Sequence, residues 1–151
     1  RVGDVTVETI PTPHDAVDSC GFVIDDGTKR LGVLTDLGNV FDGLADLLGT
    51  LDAVLLESNY DAAMLQNGPY PAVLKHRISG PGGHISNTEA ATLIADAHAQ
   101  AGRLQWAALG HLSAENNSPT RALLETTEAV GGNLPIYIAS RHQASEVLEI
   151  D

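Results

Sequence analysis

The feature that most constrains this chain is the order of its short apolar runs. Residues 20–25 and 31–35 flank Asp26-Gly27, and glycine accepts the positive φ that a tight reversal demands, so the two runs read as a hairpin. From there on, strand-like and helix-like segments alternate. Residues 53–56 form a continuous apolar run of buried-strand length. Ser86-Asn87-Thr88-Glu89 matches a capping box, and Ala90, Leu93, Ile94 and Ala97 follow at helical spacing, which predicts a helix reaching Ala101-Gly102. Residues 104–110 read as the next strand. Ser118-Pro119 then sets an N-cap and an N1 proline before a helix ending at Gly131-Gly132, and residues 135–139 read as a last strand. Residues 5–10 read as a first strand closed by Pro11-Thr12-Pro13. Short helices are expected over 39–48, 61–66 and 71–77, with weak helical character in the tail. No repeat, low-complexity tract or linker divides the chain, so residues 1–151 are read as one unit of mixed α/β class.

Composition narrows what such a unit can do. Hydrophobic residues make up 43% of the chain, too many for disorder, yet no apolar run is long enough to cross a bilayer. Aromatics are only 4%, so Val, Leu, Ile and Ala must supply most of the core. The formal net charge of −12 argues against non-specific binding to nucleic acid or to an anionic membrane. One cysteine, Cys20, excludes an internal disulfide and fits a reducing compartment. No basic stretch followed by an apolar one opens the chain, so no signal peptide is expected and the expected location is cytoplasmic. The sequence starts at Arg1, without an initiator Met, and runs straight into a strand pattern, so it is expected to be the remainder of a longer protein.

Chemistry-bearing residues gather just outside strand ends. His14 follows the first strand, Asp36 ends the second hairpin arm and His111 directly follows the strand over 104–110; His84 lies two residues before the Ser86 N-cap. Folding the hairpin about Asp26-Gly27 sets Asp36 opposite residues 17–19, one loop from His14. If the strand ending at Gly110 shares the sheet, His111 joins them. Two imidazoles and a carboxylate form a ligand set suited to zinc, manganese or iron. A loop histidine also serves as a plain hydrogen-bonding surface residue and an Asp after a strand as a turn cap, and spacing leaves both readings open. His98, mid-helix, and His142, near the tail, read as solvated. Gly80-Pro81-Gly82-Gly83 is neither a Walker A loop nor a dinucleotide fingerprint; it is either a plain loop or a flexible one delivering His84 to a helix N-terminus, where backbone N–H groups favour anions. Lys75, His76 and Arg77 form a local basic cluster that either grips a phosphate or balances nearby carboxylates. Glu57-Ser58-Asn59-Tyr60-Asp61 closes the apolar run with polar groups. A serine hydrolase is not expected, since no Gly-x-Ser-x-Gly elbow is present, and Cys20, in a strand, is a poor nucleophile candidate.

In order along the chain stand Thr12-Pro13-His14-Asp15-Ala16, Leu34-Thr35-Asp36-Leu37-Gly38, Leu55-Leu56-Glu57-Ser58-Asn59, Tyr70-Pro71, Leu74-Lys75-His76-Arg77-Ile78, Gly83-His84-Ile85-Ser86-Asn87 and Gly110-His111-Leu112-Ser113 with Asn116-Asn117. Together they resemble the metallo-β-lactamase-fold hydrolases, in particular the YycJ/WalJ-like group near the ribonuclease Z and ribonuclease J phosphodiesterases, over residues 5–138. The resemblance implies that His14 binds one metal, Asp36 bridges two, and His111 is the final metal histidine. It implies for His84 a place beside the scissile phosphate, as catalytic proton donor or stabiliser. The family's His-x-His-x-Asp-His motif, source of the remaining ligands, is not in the sequence. The chain therefore resembles the C-terminal half of the four-layer αβ/βα sandwich, and this fragment alone is expected to be inactive, with partial or no metal occupancy.

The expected function is that of a metal-dependent hydrolase, a phosphodiesterase or nuclease acting on nucleic-acid ends. In the complete enzyme two divalent ions (Zn or Mn) activate a water, and Lys75 and Arg77 bind substrate. A small ester or thioester substrate is the alternative within that class. A non-catalytic half-fold serving in binding or assembly is the alternative outside it. The expected partners are a phosphodiester or nucleic-acid-end substrate, no membrane, and either the missing N-terminal half or a second copy covering an apolar sheet face.

Overall fold

The computed structural model describes residues 3–151. Six strands and five helices follow one another as β1 (Thr6–Pro11), β2 (Cys20–Asp25), β3 (Arg30–Leu34), α1 (Leu44–Gly49), β4 (Ala53–Glu57), α2 (Ala62–Asn67), α3 (Ala72–Ile78), α4 (Asn87–Ala101), β5 (Trp106–Gly110), α5 (Pro119–Ala129) and β6 (Ile136–Ile138). One sheet holds all six strands in sequence order. β1, β2 and β3 form an antiparallel meander, and β3, β4, β5 and β6 run parallel. The β2–β3 reversal is built by its acids as much as by its glycine. Asp26 Oδ1 accepts from the Thr28 and Lys29 backbone N–H groups, Asp25 Oδ1 accepts from Gly27 N–H, and Gly27 sits at φ +91°.

The pleat sorts the strands into two faces. The register carries Val23, Gly32, Val54 and Ala107 across one face, with Leu34, Leu56 and Leu109 in the next row. These side chains share a core with Leu44 and Leu48 of α1, Ala90, Leu93 and Ile94 of α4 and Ala122 of α5. The capping box predicted at Ser86 and Glu89 is present in full, and Ser118 caps α5 by accepting from Arg121 N–H. On the opposite face Phe22, Val33, Leu55, Ala108 and Tyr137 line up in register across five strands. The core residues of α1, α4 and α5 pack with the first face, and Leu65 of α2 and Ile78 of α3 form a separate cluster with Tyr60.

Three expectations need correction. The tail after β6 forms no helix; instead its end is tied to the start of β5, where Trp106 Nε1–H donates to the Glu149 carbonyl and Gln105 bonds both ways with Asp151. α1 begins at Leu44 rather than near residue 39, because Gly43 takes a left-handed φ of +86° and sets the helix start. His98 is half-buried, not solvated, and its Nδ1 has no partner among the described residues.

Candidate metal centre

Parallel topology explains why the site residues meet. β1, β3, β4 and β5 all point the same way, so the residues beyond their carboxyl ends gather at one sheet edge, where α/β sheets place ligands. β1 leads to His14, β3 to Asp36, β5 to His111, and Glu57 is the last residue of β4, paired with Gly110. His84 enters from the loop before α4. Asp36 and His111 both adopt left-handed backbone, each at φ +55°. That region is uncommon for residues other than glycine, though Asp and His are enriched there, and such conformations cluster at functional sites.

Each imidazole is oriented by what its Nδ1 touches. His14 Nδ1–H donates to the Gly83 carbonyl at 2.8 Å. His84 and His111 both direct Nδ1–H to the same oxygen, Glu57 Oε1, at 2.8 and 2.7 Å. A carbonyl and a carboxylate can only accept, so each Nδ1 carries a proton and is engaged, and Nε2 is the ring nitrogen left to meet a ligand. His14 Nε2 then lies 3.4 Å and His111 Nε2 3.8 Å from Asp36 Oδ1. Two donors each bonded at ~2.1 Å to one tetrahedral ion stand about 3.4 Å apart. The spacing therefore fits ligand edges around a metal, with Nδ1 engaged as metal-binding histidines engage it. The ring of His84 sits between the other two, 4.9 Å from His14 and 5.1 Å from His111 by centroid. Asp36, Glu57, His84 and His111 each bring one donor atom within 4.8 Å of the others. Of these, Glu57 orients rather than ligates: Oε1 is taken by two imidazoles, and Oε2 accepts from the Leu37 and Ile85 backbone N–H groups.

Glu57 is wholly buried. Burial alone pushes its carboxyl up, but hydrogen bonds from His111, His84 and the Ile85 N–H overcome that and hold it at about 2. Reciprocally, the Glu57 hydrogen bond lifts His111 above its ordinary value against the opposing effect of burial, with Asp36 adding to the lift. A buried amide network fixes the His111 backbone from behind. Asn59 Nδ2–H donates to the His111 carbonyl, and Asn117 Nδ2–H donates to the Ser58 and Asn59 carbonyls and to Asn87 Oδ1.

The structure thus brings His14, Asp36, His84 and His111 together and treats the basic cluster differently. Lys75 and Arg77 are two residues apart on α3, about 200° around the helix, so they cannot grip one group together. Lys75 Nζ donates to the Gln66 carbonyl in a separate groove beside Tyr60 and Leu65. Arg77 reaches the site's rim, where both its Nε–H and Nη2–H bond the Asp15 carboxylate at 2.7 and 2.8 Å. Asp15 Oδ1 in turn lies 3.7 Å from His14 Nε2. Sequence reasoning missed Glu57 and Asp15 as site residues. The available signal for Glu57 was an acid closing an unbroken apolar strand.

No family model matches the chain. It is 31% identical over 128 residues to Exodeoxyribonuclease YycJ of Bacillus anthracis, covering 85% of the chain and 48% of that protein. It is 33% identical over 155 aligned positions to Exodeoxyribonuclease WalJ of Streptococcus pneumoniae, covering 98% of the chain and 57% of that protein. The chain thus spans about half the length of these relatives. Among solved structures it is similar to the metallo-β-lactamase fold protein YhfI of Bacillus subtilis, with a TM-score of 0.65 at 17% identity over 97% of the chain and 51% of that one. Zn(2+)-bound PqqB of Methylobacterium extorquens gives a TM-score of 0.62 at 20% identity, over 97% of the chain and 48% of that one.

Proposed function

We propose that this chain, which has the metallo-β-lactamase fold and is related to the YycJ and WalJ exodeoxyribonucleases, carries part of the active site of a metal-dependent phosphodiesterase acting on DNA ends. The observation that carries the reading is the convergence of the His14 and His111 Nε2 atoms on Asp36 Oδ1 with their Nδ1 protons committed elsewhere. His14, Asp36 and His111 hold the metal from this side, Asp36 being the one donor both histidines face. Two divalent ions, zinc or manganese, need more donors than these three. The remaining ligands would come from the part of the relatives' length that this chain does not span.

A metal bound there supplies Lewis acidity toward water and toward a phosphoryl oxygen. The chain's own residues do the rest. Glu57 keeps its charge and holds His84 by Nδ1, with the ring between those of His14 and His111 and Nε2 left for the substrate. When water attacks phosphorus it gives up a proton, and when the bond to the leaving oxygen breaks that oxygen needs one; His84 Nε2 is the atom assigned to carry the proton from the one to the other. Arg77 holds Asp15 against His14 at the rim.

The test is made on the protein at the full length of its relatives, with metal content and degradation of linear DNA measured together. About two equivalents of divalent metal and EDTA-sensitive shortening from an end are expected. Intact DNA with the metals in place would overturn the substrate reading, and a protein that takes up no metal would overturn the enzyme. Replacing His84 with Ala should cut turnover about 10²–10⁴-fold while metal content holds. Metal loss equal to that of His14→Ala would reassign His84 as a ligand.

A further inference from the structure

The chain carries eight basic against twenty acidic residues, and its described arginines are almost all neutralised close by. Arg30 pairs with Asp25, Arg77 with Asp15, Arg103 with Asp52 and Arg121 with Asp61. Arg141 alone among the described arginines has no carboxylate partner among the described residues. Its guanidinium donates to the Leu112 carbonyl, one residue beyond His111. In so acidic a chain, an arginine left without an acid is the group to which an outside anion can bind without displacing a partner.

Its location makes this specific. Arg141 lines a cleft of about 790 Å³ with His111, Ser113, Ser140 and His142. Gly110 and Ile138 place the cleft at the carboxyl ends of β5 and β6, the side on which the metal centre sits. His111 is common to both: it lines the cleft, and its Nε2 lies 3.8 Å from Asp36 Oδ1. The Ser113 hydroxyl oxygen accepts from Asn116 N–H, leaving its own proton to donate, and the exposed His142 imidazole offers another donor. A planar guanidinium with hydroxyl and imidazole donors around it is a phosphate-binding set.

We infer that this cleft seats a second phosphate group of the substrate, adjoining the scissile phosphodiester, with Arg141 as its principal contact. The inference rests on the phosphodiesterase reading above and adds the residue that sets where along the strand, or how close to its end, cleavage falls. The phosphate is either the terminal monoester of a DNA end or the next internal diester, and binding to Arg141 is the chemistry they share.

The experiment measures binding of dye-labelled short single-stranded oligodeoxynucleotides to the full-length protein in EDTA, by fluorescence anisotropy, so that no cleavage intervenes. The probes carry a 5′-phosphate, a 3′-phosphate or neither. Arg141→Gln is expected to weaken binding about tenfold, with Arg141→Lys retaining part of it. Lys29→Gln, which removes the same charge at the β2–β3 turn, is expected to leave binding unchanged. If the loss appears only with a phosphorylated end, the cleft takes a terminal phosphate; if it appears with every probe, it takes an internal one. Equal affinities of the native protein and Arg141→Gln for all three probes, with unchanged circular dichroism, would overturn the inference. A matching loss in Lys29→Gln would overturn it too, by showing only general charge. Cleavage is scored separately with metal restored. Binding at Arg141 without cleavage would sink the phosphodiesterase reading alone, and cleavage indifferent to Arg141 would sink this inference alone.

Discussion

At the scale of single residues, Glu57 has the most depending on it. One carboxylate oxygen orients two imidazoles, and the other accepts from two backbone N–H groups that hold the loops bearing Asp36 and His84. Glu57→Gln replaces one oxygen with an NH2 that opposes either the imidazole protons or the backbone donors. It should reduce metal affinity 10–100-fold, as loss of a partner behind a metal ligand does. Equilibrium titration with Zn²⁺ against a competing chelator checks this, and an unchanged affinity would remove Glu57 from the site. The same group makes the metal-free protein acid-sensitive. Its carboxyl falls from 4.5 to about 2 on folding, so its stabilisation is complete above about pH 4.5 and lost as pH drops toward 2. His111 shifts the other way. Raised on folding, it contributes stability below its ordinary 6.5 that disappears as pH rises through its higher folded value. Denaturant midpoints of the metal-free protein across this range should therefore decline on acidification below pH 4.5, and Glu57→Gln should flatten that limb.

At the scale of elements, the site depends on loops pressed together at the sheet edge. Gly83 is where that packing is tightest. A Cβ there would stand 2.2 Å from the carbonyl oxygens of both Arg77 and Ile78, and the Gly83 carbonyl is the acceptor that orients His14. Gly38 forms an isolated bridge with Gly83 and itself sits at φ +72° against Pro13. The Gly-Pro-Gly-Gly stretch is thus the clamp joining the His14, Asp36 and His84 loops, which answers why glycine stands at three of its four positions. Gly83→Ala should destabilise by about 1–3 kcal/mol, the usual cost of overpacking, and lower metal affinity with it. Gly132→Ala, at φ +72° but with nothing within 4 Å, separates backbone strain from the clash. Thermal melts of the two, with metal titrations, provide the comparison; equal metal affinities would show that the clamp is irrelevant to the centre.

At the scale of the whole molecule, α1, α4 and α5 pack their core residues on one face of the sheet. Phe22, Val33, Leu55, Ala108 and Tyr137 cross the other face in register, and Phe22 and Tyr137 are 39% and 40% exposed. Ala108 is buried and Val33 and Leu55 are half-buried, so the exposed apolar surface lies at the two ends of this row; apolar burial is worth ~25 cal/mol per Å², and covering those ends favours association. The 151-residue chain alone is expected to self-associate or to bind a hydrophobic dye such as ANS, and Tyr137→Glu with Phe22→Glu to suppress both. Analytical ultracentrifugation decides it: a monodisperse 15.8 kDa monomer that ignores the dye would show that this face needs no cover.

What the sequence by itself determined was local. The hairpin at Asp26-Gly27, the capping box at Ser86, the proline-led helix at Ser118 and the buried run at Ala53 each follow from residues a few positions apart, because backbone hydrogen bonding and capping act over that range. The likeness to a family with histidines and an aspartate at strand ends was also present in the order of motifs. Only the tertiary structure decided which groups touch. Glu57 lies 27 and 54 positions from the two imidazoles it holds, Arg77 lies 62 from Asp15, and Lys75 points away from both. Those contacts come from strands lying parallel in one sheet and from the turn angle of a helix. Neither distance along the chain nor residue type encodes them, so a basic cluster that looked like one site separated into two, and an acid at a strand end became the hinge of the centre.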